Sequence, residues 1–178
     1  CHLVLEERVK GSYNPEASGN NFLFQLLGAK SITVVPGGSD MLAAMNEIAG
    51  KVKNEGRKPY IIPGGASNPI GATGYVACAQ EILQQTFESG LKIDNIVVPS
   101  GSAGTHAGMV VGMVGCNANI PIWGINVSRP RDLQEPIVRK LANETAQRVG
   151  ACAIPDSAVD CNGDYVGPGY SRVTEGMV

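Results

Sequence analysis

Short apolar runs rich in β-branched residues alternate along this 178-residue chain with longer segments of helical period. The short runs predict strands, which we place at residues 2–5, 32–35, 60–62, 96–98 and 122–127. The longer segments predict helices, which we place at residues 20–27, 40–54, 70–88, 105–114 and 132–149. Alternation of this kind is typical of parallel sheets flanked by helices, so we expect an α/β fold. Residues 151–170 are rich in Pro and Gly and predict a loop.

The charge pattern narrows the classes of partner. The formal net charge is −2, and like charges do not cluster along the chain. We therefore expect neither a nucleic acid nor an anionic membrane surface as a partner. Charged residues make up 17% of the chain, below the roughly 25% that is usual, which indicates that part of the surface contacts protein. No apolar run reaches the roughly 18 residues that a membrane span needs.

The five cysteines are far apart and never follow the C-x-x-C spacing. This pattern is typical of neither a disulfide framework nor a zinc ribbon. We therefore expect no metal site and a reducing compartment, the cytoplasm.

The ends and one internal break bear on domain organisation. The chain begins without Met and stops where a helix could start, and we expect it to be part of a longer protein. The composition changes at residues 54–59, where we expect the chain to cross between two domains.

A small-residue turn at residues 97–108, Val-Val-Pro-Ser-Gly-Ser-Ala-Gly-Thr-His-Ala-Gly, joins a predicted strand to a predicted helix. Small residues let backbone N–H groups converge, and the helix N-terminus adds its positive dipole end. The hydroxyl groups of Ser102 and Thr105 add further donors, so the turn predicts a seat for a phosphate group. The alternative is a tight strand-to-helix turn in which Ser or Thr only caps the helix.

The spacing within this turn excludes three common motifs. Gly101 and Gly104 are three residues apart, which does not match the dinucleotide-binding motif G-x-G-x-x-G. The turn lacks the G-K-[ST] ending of a P-loop. Gly101 directly precedes Ser102, so the hydrolase motif G-x-S-x-G does not match either.

A second Gly-rich turn, at residues 62–71, also joins a predicted strand to a predicted helix. It could place Ser67 or Asn68 at the rim of a cleft, although Asn-Pro is also common turn chemistry. His106 lies in the first turn of the helix that follows the phosphate seat. Both a catalytic base and a packing or capping residue remain open for it.

Three segments, at residues 59–75, 100–108 and 164–170, together resemble the D-cysteine desulfhydrase and 1-aminocyclopropane-1-carboxylate deaminase family. This family comprises fold-type II pyridoxal-phosphate enzymes related to the tryptophan synthase β subunit. The resemblance extends over nearly the whole chain, with the segments in the family's order. It implies a two-domain α/β enzyme, of which residues 1–57 would form part of the smaller domain and residues 58–178 part of the larger one.

The resemblance also implies site residues and partners. The cofactor phosphate would be held by five consecutive residues of the first turn: Gly101, Ser102, Ala103, Gly104 and Thr105. Tyr170 matches a tyrosine that faces the substrate in the deaminases, although it could instead be a loop tyrosine packed on Pro168. The partners implied are pyridoxal 5'-phosphate, a small amino-acid substrate and a second copy of the chain in a homodimer.

One departure from the family is serious. The family binds its cofactor covalently through a lysine in a Gly-Gly-Asn-Lys motif, and a later Ser-Asn motif binds the substrate carboxylate; we expect both motifs to lie upstream of Cys1. The C-terminal segment that meets the pyridine ring has no match either. No lysine stands in the family's context, which holds for Lys10, Lys30, Lys51, Lys53, Lys58, Lys92 and Lys140. We expect the chain alone to be an inactive part of the enzyme.

For the intact enzyme, the resemblance implies elimination from a small amino acid, with D-cysteine as the expected substrate. The turn is closer to the desulfhydrase version, because the deaminases usually carry Gln where His106 stands. Deamination of the cyclopropane amino acid and L-cysteate sulfo-lyase activity remain alternatives. A non-catalytic module that binds a nucleotide or a sugar phosphate is the alternative of another class, since a phosphate seat does not name its ligand.

Overall fold

The computed structural model describes residues 1–168 and 173–177. The chain divides into two compact units, Cys1–Ile62 and Pro63–Val178. The assignment of residues 1–57 and 58–178 to the smaller and larger domains of a whole enzyme stays a prediction.

The first unit contains two strands and two helices: β1 (His2–Glu7), α1 (Asn20–Leu26), β2 (Ser31–Pro36) and α2 (Met41–Asn54). The two strands are parallel, and His2 pairs with Ser31 at the start of the register. The same two residues are joined through their side chains, since His2 Nδ1 lies 2.8 Å from Ser31 Oγ. Asp40 begins α2 as an N-cap whose carboxylate accepts a hydrogen bond from the N–H of Ala43 at 3.0 Å.

The second unit alternates helices with strands: α3 (Pro69–Ser89), β3 (Ile96–Ser100), α4 (Gly104–Gly115), β4 (Ile122–Asn126), α5 (Arg131–Val149) and β5 (Asp160–Asn162). The three strands form a sheet in the order β3-β4-β5, and both pairings are parallel. Single turns of 3₁₀-helix occur at Gly64–Ala66, Asp156–Ala158 and Glu175–Met177. The predicted α/β fold with parallel strands is confirmed.

The two faces of this three-stranded sheet differ in exposure. Val98 and Ile122 are buried on one face, as is Cys161 of the short strand β5. The neighbouring positions Val97 and Trp123, which pair with each other, remain 64% and 42% exposed on the other face. Side chains alternate across a strand, so the buried set follows from the period of two.

Helix α4 lies at the centre of the second unit. Nine of its twelve residues are buried: Gly104, His106, Ala107, Gly108, Met109, Val110, Val111, Gly112 and Met113. A helix that is apolar on every side needs neighbours on every side. Helix α3 approaches it very closely, because a Cβ atom at Gly108 would lie 2.6 Å from Tyr75 Cβ and one at Gly112 would lie 2.9 Å from the carbonyl oxygen of Val76.

Two local predictions were wrong. Residues 60–62 were expected to form a strand, but the structure has irregular backbone there. Pro59 and Pro63 flank this run, and proline donates no backbone hydrogen bond, so the apolar composition alone misled the assignment. Strand β5 lies within residues 151–170, which were expected to be a loop. Its Asp-Cys-Asn sequence has low strand propensity, and pairing with β4 rather than composition makes it a strand.

Among the helices that the structure describes, none combines the length and the hydropathy needed to cross a bilayer.

We expect Gly112→Ala to lower the free energy of unfolding by about 1–3 kcal/mol, because the added methyl group overpacks the contact between α3 and α4. Gly74→Ala is the matched control, since Gly74 is also helical and nothing lies within 4 Å of its Cβ position. Helix propensity should make this control more stable by about 0.5–1 kcal/mol. Urea denaturation of the intact protein measures both values, and equal changes in the two variants would contradict the close contact.

Candidate functional site

The two Gly-rich turns that the sequence presents separately lie against each other in the second unit. The hydroxyl oxygen of Ser67, in the turn before α3, accepts a hydrogen bond from the N–H of Gly104 at 3.2 Å. Gly65 has a positive φ of 68°, and a Cβ atom there would lie 2.9 Å from Ser102 Cβ. Only glycine therefore allows the two turns to come this close.

The turn between β3 and α4 presents backbone N–H groups that have no acceptor. Ala103 adopts the left-handed conformation, with φ 77° and ψ −14°, immediately before the helix begins at Gly104. Within residues 1–168 and 173–177, the N–H groups of Ser102, Ala103 and Thr105 make no hydrogen bond. A left-handed residue at this position turns successive N–H groups toward one side, and a helix N-terminus adds partial positive charge. These N–H groups are therefore free to donate hydrogen bonds to an anion, as the sequence predicts.

The structure does not use the predicted hydroxyl groups as helix caps. The N-cap residue of α4 is Ala103, whose side chain cannot accept a hydrogen bond, and the N–H of Gly104 donates instead to Ser67 Oγ from the other turn. Thr105 is the second residue of the helix. This leaves its hydroxyl group available to a ligand, whereas Asn68 is a true N-cap, because its Oδ1 accepts from the N–H of Gly71 at 2.8 Å.

A layer of buried polar side chains lies behind the turn. Ser100, His106 and Gln134 are each at most 1% exposed. Ser100 Oγ lies 3.1 Å from His106 Nδ1 and accepts a hydrogen bond from Gln134 Nε2 at 3.0 Å. These bonds join the end of β3 to helices α4 and α5, so the layer fixes the strand from which the turn starts.

Burial keeps His106 neutral. Desolvation lowers the pKa of its imidazole from 6.5 to about 4, and the carboxylate of Asp160 offsets only part of this effect. The side chain is completely buried, and its Nε2 has no partner among the described residues. These features favour the packing role that the sequence left open. Burial also raises the pKa of the neighbouring Cys161 thiol to about 11, which makes that thiol unreactive.

The structure brings the five predicted phosphate-binding residues together in one turn, at Gly101, Ser102, Ala103, Gly104 and Thr105. Tyr170 lies outside the described residues. No three His, Cys, Asp or Glu side chains in residues 1–168 and 173–177 are grouped so that they could hold a metal ion.

Sequence reasoning missed two contributors to the turn. Gln134 and Arg129 both donate hydrogen bonds to the carbonyl oxygen of Gly101, at 2.9 Å and 3.1 Å. They follow the turn by 33 and 28 residues. Their local sequence carries no signal of this contact, which the packing of α5 beneath the sheet's carboxyl end creates.

Comparisons with known proteins identify the family to which the chain belongs. The family model described as pyridoxal-phosphate dependent enzyme matches residues 1–177. A D-cysteine desulfhydrase of Yersinia enterocolitica is 34% identical over 98% of this chain and 52% of its own length. One of Klebsiella pneumoniae is 35% identical over the same shares. The chain thus spans about half the length of the curated relatives it matches.

A solved structure also resembles this chain. A crystal structure of an ACC deaminase homologue has a TM-score of 0.70 and 29% identity, over 85% of this chain and 53% of that one. The resemblance in fold therefore extends beyond the anion-binding turn.

We expect the stability of the protein to fall between about pH 6.5 and pH 4 in a way that depends on His106. The unfolded imidazole binds a proton near pH 6.5 and the buried one only near 4, so the unfolded chain takes up more protons in this window. The free energy of unfolding is therefore unaffected by the titration of His106 above about pH 6.5, and it falls by about 3 kcal/mol as the pH is lowered to about 4.

The test is the pH dependence of the free energy of unfolding, measured by urea denaturation. His106→Gln should flatten the slope in this window relative to wild type. Thr145→Val is the control, since Thr145 is also fully buried in the second unit but does not titrate. An unchanged slope in His106→Gln would contradict a neutral, buried imidazole.

Proposed function

Because the chain belongs to the pyridoxal-phosphate dependent enzyme family, we propose that it forms about half of an enzyme that uses this cofactor to break down a small amino acid. The relatives from Yersinia enterocolitica and Klebsiella pneumoniae support D-cysteine as the substrate. The reaction would convert D-cysteine and one water into pyruvate, ammonia and hydrogen sulfide. The predicted family resemblance and fold-type II class are confirmed by the same comparisons.

The observation that carries this proposal is the set of N–H groups left without an acceptor in the turn before α4. A phosphate dianion could accept from Ser102, Ala103 and Thr105, and the Thr105 hydroxyl group could donate one further bond. Side chains larger than hydrogen would crowd the turn, because a Cβ atom at Gly101 would lie 2.8 Å from Val127 Cγ2 and one at Gly104 would lie 2.9 Å from Ser67 Oγ. The residues present therefore fit the phosphate of the cofactor.

When bound, pyridoxal phosphate supplies an electron sink for the pair released at the substrate's α-carbon. The role of this chain is to hold and orient. Gly101 to Thr105 bind the phosphate and so fix the position of the ring relative to the sheet. The neutral layer of Ser100, His106 and Gln134 keeps water from beneath the turn and adds no charge that would compete for the phosphate.

Tyr170 is the residue that we propose to face the substrate. The support is its match to the family's segment at residues 164–170 and the Gly- and Pro-rich sequence of that segment, a composition typical of loops that carry functional residues.

The alternatives have unequal support. The similarity in fold to an ACC deaminase homologue keeps the cyclopropane amino acid as a second candidate substrate. L-Cysteate remains a third one. A non-catalytic phosphate-binding module is not favoured, because the match to a family of enzymes extends over residues 1–177.

We further propose that the intact enzyme is a cytoplasmic homodimer. Low charge supports a surface that contacts protein, and all five cysteines are free, as in a reducing compartment. Light scattering at working concentration tests the dimer, and a monomer would contradict it.

The intact enzyme should release pyruvate from D-cysteine with a higher kcat/KM than from L-cysteate, and should release little 2-oxobutanoate from the cyclopropane amino acid. Tyr170→Phe should lower kcat by about 5- to 150-fold with little change in melting temperature, because one hydroxyl group at the substrate is worth roughly 1–3 kcal/mol. Steady-state assays on the three substrates measure both effects. Turnover of none of them would overturn the proposed activity, and an unchanged kcat and KM in the variant would remove Tyr170 from the site.

Thr105→Ala should weaken the affinity for pyridoxal phosphate by about 10- to 150-fold, since a charge-assisted hydrogen bond is worth roughly 1.5–3 kcal/mol. Gly104→Val should weaken it more, because a Cβ atom at Gly104 would lie 2.9 Å from Ser67 Oγ and the larger side chain would force the two turns apart. Isothermal titration calorimetry of the cofactor-free protein gives both dissociation constants. Equal constants in wild type and both variants, with only the melting temperature lowered, would show that the turn is purely structural.

A further inference from the structure

Two side chains from outside the turn converge on one backbone atom of the phosphate seat, the carbonyl oxygen of Gly101. We propose that Gln134 and Arg129 are positioning residues, which hold this carbonyl group so that the N–H of Ser102 faces the cofactor phosphate. The inference rests on the proposed function, and it adds a control over phosphate affinity by residues that do not touch the phosphate.

The contacts form a closed arrangement around the carbonyl oxygen. Gln134 Nε2 donates to Gly101 O at 2.9 Å, and a guanidinium nitrogen of Arg129 donates to the same oxygen at 3.1 Å. The same Arg129 nitrogen lies 3.4 Å from Gln134 Oε1, so the two side chains also hold each other. A carbonyl oxygen has two lone pairs, and this one uses both.

Planarity of the peptide bond carries the effect to the next residue. In a trans peptide, the C=O of one residue and the N–H of the next point in opposite directions from one rigid plane. The described chain contains no cis peptide bond. When Gln134 and Arg129 hold the Gly101 oxygen on their side, the Ser102 N–H must point to the other side. That N–H has no acceptor within residues 1–168 and 173–177.

The preceding peptide is fixed in the same way. The carbonyl oxygen of Ser100 accepts a hydrogen bond from the N–H of Val127 at 3.1 Å. The carbonyl groups of Ser100 and Gly101 are therefore both held by donors outside the turn. The N–H groups of the residues that follow them, Gly101 and Ser102, point away from these donors. Without this restraint, the flexible Gly101 could rotate the next peptide and turn the Ser102 N–H away from the phosphate.

Gln134 suits this role because it is a neutral donor with two amide hydrogens. One is directed to Ser100 Oγ at 3.0 Å and the other to Gly101 O. Gln134 lies on α5 and its side chain is completely buried, so water does not compete for its amide hydrogens. Its neutrality also makes it the informative residue, because the effect of removing it cannot come from a lost charge.

The experiment compares pyridoxal phosphate with pyridoxal, which lacks the phosphate group, on the cofactor-free intact protein. The measured quantity is the dissociation constant of pyridoxal divided by that of pyridoxal phosphate. This ratio reports the contribution of the phosphate seat alone, and it falls when the seat binds phosphate less well. We expect Gln134→Met, which keeps the volume but removes both donors, to lower this ratio by about 10- to 100-fold. Thr145→Val is the matched control, a second fully buried polar residue of α5 whose hydroxyl group donates to Leu141 O at 2.7 Å. It should lower the melting temperature without changing the ratio.

The outcomes separate this inference from the proposed function. If the wild-type protein binds pyridoxal phosphate no more tightly than pyridoxal, the proposal that this turn binds the cofactor phosphate is wrong. A wild-type preference that Gln134→Met retains within about twofold would overturn the positioning role and leave the seat standing. A ratio lowered in Gln134→Met and unchanged in Thr145→Val supports the inference.

If Gln134→Met does not fold, Arg129→Met gives the same test from the more exposed donor. It is measured in about 1 M KCl, where the screening length is about 3 Å and long-range attraction between Arg129 and the phosphate is suppressed. A ratio lowered about 3- to 30-fold at this salt concentration supports the restraint on Gly101 O. A ratio equal to that of wild type overturns it.

Discussion

The close contact between α3 and α4 is the constraint on which the second unit depends. Gly108 and Gly112 are four residues apart, so they lie on the same face of α4. Because neither has a side chain, the backbone of α3 can approach this face closely. Gly108 faces Ala72, and Gly112 faces Ala79. This contact sets the position of α4 between its neighbours. Since the turn with the unpaired N–H groups leads directly into this helix, the contact between the two helices also sets the position of the proposed phosphate seat.

The buried polar layer is the second determinant of the site. An apolar residue at the start of α4 would cost less to bury than His106, because a buried polar atom without a partner is costly and His106 Nε2 has none among the described residues. The layer instead joins three elements, β3, α4 and α5, at the point where the strand leaves the sheet. Its members are neutral, so the positive field at the turn comes from backbone dipoles, helix α4 and the exposed guanidinium group of Arg129. This arrangement favours a dianion without a buried cation opposite it.

The sequence predicted much of the fold because local period and propensity agree with the structure for five helices and four strands. It failed at residues 60–62, where strand-like composition has no pairing, and at β5, where pairing makes a strand of Asp-Cys-Asn. The turn between β3 and α4 could be located because its small residues are contiguous, and its role as a phosphate seat stays a prediction. The contacts that Ser67, Gln134 and Arg129 make with this turn could not be predicted, since they arise only when distant segments of the chain come together in space.

Trp123 is the only tryptophan of the chain, and it lies on the open face of the three-stranded sheet. Its indole is 42% exposed, and its Nε1 donates to Asn95 Oδ1 at 3.2 Å. Intrinsic tryptophan emission of this chain is therefore an optical reporter of that face, and the first unit contributes nothing to the signal. A collisional quencher reaches the indole when the face is open, and any polypeptide that covers Val97 and Trp123 will shift the emission toward the blue and protect it from the quencher.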